Sequence, residues 1–117
     1  MKIRIKGNSL RYRLTKSDIA TLVKDGRLQE STAFVNQILT YAVKVKDTEQ
    51  LKAEFTDNQI TLFISESMAQ ELADTEKVGF SDKGSTLHLL IEKDFTCLDN
   101  VEEDQSDNFP NPLAATS

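Results

Sequence analysis

Seven cations sit at every second position of three short segments. Lys2, Arg4 and Lys6 fall in KIRIK, Arg11 and Arg13 in LRYRL, and Lys44 and Lys46 in VKVK. A period of two sends the cations of one strand to a single face. Where such strands adjoin, cations recur at a spacing of about 4.8 Å. A polyanion relieves their mutual repulsion, and arginine offers phosphate a planar fork of paired donors. The chemistry indicated is non-catalytic binding of a phosphorylated small molecule, or another anion, by Lys2, Arg4, Lys6, Arg11, Arg13, Lys44 and Lys46. The competing reading is an ordinary solvated face of an antiparallel sheet.

The other reactive side chains offer less. His88 shares a strand face with Thr86 and Glu92, and a lone histidine there is expected to be incidental rather than an acid or base. Cys97 lies next to acids, which raise a thiol pKa and disfavour a nucleophile. His88, Cys97 and Asp99 lack any established zinc spacing, and the acidic run from Asp99 to Asp107 lacks the central glycine of a calcium loop. No catalytic residue, metal or cofactor is therefore expected, and the balance leans against an enzyme.

The chain has 117 residues, the length of one domain, with 38% hydrophobic residues and no tryptophan. No apolar run approaches the roughly 18–20 residues of a membrane helix, so no membrane partner is expected. One cysteine forms no internal disulfide and suits a cytoplasmic protein. The net charge of −5 hides an asymmetry: up to Lys52 there are eleven basic and five acidic residues, and beyond it three basic and fourteen acidic. A pI near 4.8 makes nucleic acid an unlikely partner.

The segments that must position these cations read as strands and short helices. Lys2–Lys6 and Leu10–Leu14 alternate on either side of a Gly7-Asn8-Ser9 turn. Thr15 and Asp18 read as a capping box, and Gly26 as a left-handed helix end. Strands are expected at about 28–35 and 38–46. The programme then restarts at an offset of 50: a strand at 52–56, the turn Asp57-Asn58, alternation of Ile60, Leu62 and Ile64, and a cap at Ser65. A helix through Leu72 and strands at 78–81 and 85–93 complete the second copy. The offset is expected to hold without gaps, matching Ser31 with Ser81 and Leu39 with Leu89.

The expected fold is α+β in one domain, residues 1–94. It is a duplicated strand–strand–helix–strand–strand unit (2–46 and 52–94) whose antiparallel strands form one curled sheet or small barrel, with two short helices outside. Residues 95–117 are expected to be an acidic, proline-containing, flexible tail. Tethered near a basic face, that tail is expected to cover it transiently and compete with anionic ligands. Edge strands offer the alternative role of an interaction module or a homodimer.

The duplicated unit resembles the CYTH-like fold of the triphosphate tunnel enzymes, which hold triphosphate on a concave face rich in Lys and Arg. That resemblance implies a Glu-x-Glu-x-Lys metal motif on the first strand. Here the matching place reads Lys2-Ile3-Arg4-Ile5-Lys6, and only Lys6 agrees. A degenerate triphosphatase is the most that this implies. The opening MKIRIKGNSLRYRLT and the later FPNP also resemble a small uncharacterised bacterial protein family of about this length.

Overall fold

The computed structural model describes residues 1–83 and 86–95. The last residue of the Asp82-Lys83-Gly84 turn, the first of the expected strand 85–93, and the tail with Cys97, Asp99 and all but its first residue lie outside the described residues. The architecture is α+β. In chain order the elements are β1 (Lys2–Lys6), β2 (Ser9–Leu14), α1 (Lys16–Asp25), β3 (Arg27–Ala33), β4 (Ile38–Val45), β5 (Lys52–Thr56), β6 (Gln59–Ile64), α2 (Glu66–Asp74), β7 (Gly79–Asp82) and β8 (His88–Lys93). Among the described residues, no helix is long and apolar enough to cross a membrane.

Local chemistry accounts for the element ends. The β1–β2 hairpin closes with Lys6 opposite Ser9, and Gly7 adopts φ 54°. The equivalent turn between β5 and β6 places both Asp57 (φ 51°) and Asn58 (φ 62°) in the left-handed region. Two left-handed central residues give the backbone twist that a two-residue hairpin favours. The Thr15 hydroxyl accepts from the Asp18 N–H at 3.2 Å, and the Asp18 carboxylate accepts from the Thr15 N–H at 2.9 Å. Gly26 ends α1 at φ 75°, donating its N–H to the Leu22 carbonyl. Ser65 caps α2 by accepting from the Met68 N–H. Asp18 also meets the Met1 ammonium at 2.8 Å, and Glu30 on β3 meets it at 2.9 Å. Burial pushes the Asp18 carboxyl up, but the bonds from the ammonium and from Thr15 outweigh it and hold the group below its usual value.

The strands do not form the single curled or closed antiparallel sheet expected from the repeat. They form two open four-stranded sheets, ordered β1-β2-β8-β7 and β3-β4-β6-β5. Each sheet takes one hairpin from each copy. The central pairs, β2 with β8 and β4 with β6, are parallel, and the outer pairs are antiparallel. The strand that leads into a helix therefore pairs with the closing strand of the other copy, not with its own.

The two copies superpose bond for bond across this exchange. Thr40 N–H donates to the Asn58 carbonyl as His88 N–H donates to that of Asn8. Lys46 donates to Ile64 as Asp94 does to Leu14, and Val45 to Gly26 as Lys93 does to Val78. These pairs correct the constant offset. It is 50 through the first hairpin and the helix start, 52 on the third strand (Arg27 with Gly79) and 48 on the fourth (Lys44 with Glu92). The counterpart of Leu39 is thus Leu87, not Leu89, and that of Ser31 is Lys83, not Ser81. Both slips are even, so every side chain keeps its face.

One core serves both sheets. Leu10, Tyr12, Leu14, Leu89 and Ile91 of the first sheet, Val43, Leu62 and Ile64 of the second, and Ile19, Leu22, Ala69 and Leu72 of the helices form a single buried cluster. Tyr12 crosses between the sheets and donates its hydroxyl to the Ile60 carbonyl at 3.2 Å.

Candidate functional site

The face of the first sheet turned away from the core is a grid of three rows, set by strand register. The first row reads Lys2, Arg13, Glu92, Gly79; the second Arg4, Arg11, Leu90, Ser81; the third Lys6, Ser9, His88. Five of the seven expected cations, Lys2, Arg4, Lys6, Arg11 and Arg13, therefore share one face on two neighbouring strands. Alternation alone accounts for this, because their partners Ile3, Leu10, Tyr12 and Leu14 pack into or against the core.

Carboxylates reach cations of both the first and the second row. Glu92 Oε1 lies 3.3 Å from Arg11 Nε and 3.9 Å from Arg13 Nε. Asp94 Oδ2, just past the end of β8, lies 3.0 Å from Lys2 Nζ. Both cations of the first row thus face a carboxylate. At the other end, Arg4, Lys6, Ser9 and Arg11 line a cleft of about 310 Å³ beside the β1–β2 turn. Three cations and a hydroxyl converge there on two adjoining strands. Such a set has the donors that charge-assisted hydrogen bonds to a tetrahedral oxyanion require.

The second copy supplies an internal comparison. Its outer-face rows read Lys52, Phe63, Lys44, Arg27; Glu54, Thr61, Ala42, Gln29; and Thr56, Gln59, Thr40, Ser31. The counterparts of Arg4, Lys6, Ser9 and Arg11 are Glu54, Thr56, Gln59 and Thr61, which line a cleft of about 220 Å³ with Lys44 and Asp57. Thr61 is buried and accepts a bond from Gln59 Nε2 at 2.9 Å. The same backbone therefore builds a cationic cleft in one sheet and, in the other, a cleft where one lysine meets two carboxylates, two hydroxyls and an amide.

Lys44 and Lys46 do not join the five cations, because β4 pairs with β6 rather than β2. Lys44 lies on the outer face of the second sheet, and Lys46 stacks over the Phe63 ring at 4.8 Å. His88 faces Ser9 across the central pair, and its Nε2 is buried with no hydrogen-bond partner among the described residues. Sequence reasoning missed Ser9 and Glu92 as parts of the cationic face. Ser9 shares the parity of Arg11, a signal that was available. Glu92 came to the site through a pairing between distant segments, which no local pattern announces.

A larger cleft, about 670 Å³, lies between α1 and α2 and is floored by Leu14, Ile19 and Leu72. Its counterpart in the other copy is about 290 Å³. Val23 and Gln70 line the small cleft where Ala73 and Ala20 line the large one. The larger cleft is mostly apolar, and its two lysines, Lys16 and Lys93, are accompanied there by Glu76 and Asp94.

A family model described as a family of unknown function (DUF7009) matches residues 1–113. No curated protein and no solved structure matches the chain.

Proposed function

Because the chain belongs to that family of unknown function, we propose its role from the site itself: non-catalytic binding of a phosphorylated small molecule in the cleft of Arg4, Lys6, Ser9 and Arg11. The observation that carries this reading is the contrast between the two copies. The counterpart positions fold equally well as Glu54, Thr56, Gln59 and Thr61, so the backbone does not require cations there. Three cations gathered at one cleft repel one another, and a bound phosphate relieves that repulsion. Arg11 is held through Nε by Glu92, which leaves the far edge of its guanidinium for a phosphate. The site lies on an open sheet face and encloses no tunnel, so the proposal concerns recognition and not triphosphate hydrolysis.

The test is calorimetry and thermal shift with inorganic phosphate, sugar phosphates and nucleotides at low salt. Stabilisation by at least one of these is expected, falling as salt shortens the screening length. Arg4→Ala and Arg11→Ala should each weaken binding roughly tenfold to a hundredfold, the weight of a charge-assisted hydrogen bond. No stabilisation by any phosphate compound, or an affinity in both variants equal to that of the unchanged protein, overturns the reading.

A second reading, self-association, has its own observation. The β3–β4 hairpin presents Phe34, Val35 and Ile38, each more than half exposed, beside the edge strand β3. Exposed apolar residues on a sheet edge mark a contact surface. Light scattering at tens of micromolar should show a dimer that Val35→Lys dissociates, and a strict monomer removes this reading.

A further inference from the structure

We propose that Glu92 limits the phosphate site to a compact phosphoryl group and turns away extended polyphosphates; the inference rests on the phosphate-binding reading above. The site lies across the second and third rows of the grid, at Arg4, Arg11, Lys6 and Ser9. One phosphoryl group is met there by three cations and a hydroxyl. A second or third phosphate running along the strands toward the first row travels about 7 Å, two residues of an extended chain. It arrives at Arg13 and Lys2, the remaining cations of the face.

Both face carboxylates, and Arg11 shares the one that faces Arg13. Glu92 Oε1 stands 3.3 Å from Arg11 Nε and 3.9 Å from Arg13 Nε, and Asp94 Oδ2 stands 3.0 Å from Lys2 Nζ. A polyphosphate entering the first row must displace these carboxylates or lie against them, and like charges in close contact repel strongly. Glu92 is about a quarter exposed, so solvent screens it less than a surface acid. It also keeps Arg11 oriented along the sheet, which makes it a positioning residue as well as a barrier.

The fold does not require an acid at this place. The counterpart of Glu92 is Lys44, opposite Phe63 as Glu92 is opposite Arg13. A cation there would extend the basic face through all three rows and invite a longer anion. The carboxylate divides the face instead, and the selectivity follows from that division.

The test is calorimetry on the full chain with inorganic phosphate, pyrophosphate and tripolyphosphate at low salt, for the unchanged protein, Glu92→Gln and Glu92→Lys. The unchanged protein should bind phosphate at least as tightly as tripolyphosphate. Glu92→Gln should raise the ratio of tripolyphosphate to phosphate affinity roughly tenfold or more, whatever the loss of its hold on Arg11 does to both, and Glu92→Lys should raise that ratio further. Circular dichroism establishes that each variant is folded, and either variant alone suffices for the comparison. Equal rises for all three anions, or an unchanged preference, overturn the inference and leave the phosphate site standing. Binding of none of the three by any of the proteins overturns the site and the inference together.

Discussion

Gly79→Ala should be among the most destabilising single substitutions in this protein, with an expected loss of about 3 kcal/mol or more, the upper range of overpacking within a rigid interior. Gly79 opens β7 opposite Glu92. A Cβ placed on it would press into the Ile91 carbonyl oxygen and lie 2.9 Å from the Glu92 Cα. Both are backbone atoms, so no rotamer change relieves the contact, and β7 must move off β8. Ile91 is fully buried, and β8 stands between β2 and β7 at the centre of its sheet. Separation therefore loosens the core as well as an edge. The counterpart position carries Arg27, so it is the close approach of these two strands, and not the pairing pattern, that demands glycine. Urea unfolding should show a large fall in midpoint, and a midpoint equal to that of the unchanged protein would refute the argument.

The second large effect is at Tyr12, fully buried, with its hydroxyl donating to the Ile60 carbonyl of the opposite sheet. Burial pushes this phenol well above its ordinary value, Tyr41 adds to the rise, and a backbone hydrogen bond at Ala42 offsets part of it. The neutral phenol is thus favoured in the folded state. Its contribution is complete below the unfolded value near 10 and is lost as pH rises through the higher folded value. Tyr12→Phe keeps the ring and removes the hydroxyl. The expected cost is about 1–2 kcal/mol at neutral pH, from the lost hydrogen bond, with a shallower fall in stability above about pH 10. Tyr12→Ala should cost about 3–5 kcal/mol, because it also leaves a cavity between the sheets. Stability measured by circular dichroism from pH 7 to 11 decides the matter. An identical alkaline limb in Tyr12→Phe would contradict the buried-phenol account.

What the sequence revealed follows from the range of each interaction. Alternation in KIRIK and LRYRL, the Thr15–Asp18 capping box, the Asp57-Asn58 turn and the left-handed Gly26 involve residues a few positions apart, and each appears in the structure as expected. The exchange of hairpins was not legible. A period of two says which face a side chain takes but nothing about which strand lies beside it. Assigning β4 to the wrong neighbour therefore grouped Lys44 and Lys46 with cations of another sheet. The slip from 50 to 52 and 48 was hidden for a related reason: an even slip leaves the alternation unchanged. The close approach at Gly79 needs two strands in space before it exists at all.

The exchange of hairpins also imposes an order of events on synthesis. The β1–β2 hairpin is made first, yet β2 acquires its inner neighbour only with β8, which begins 74 residues after β2 ends. At translation speeds of about 5–20 residues per second, the first strands wait roughly 4–15 seconds for that partner. The second sheet can close earlier, since β3, β4, β5 and β6 are consecutive in the chain. A nascent chain thus carries an assembled half beside an unpaired, cation-bearing ribbon, and the cleft of Arg4, Lys6, Ser9 and Arg11 reaches its final setting only once β8 has been made.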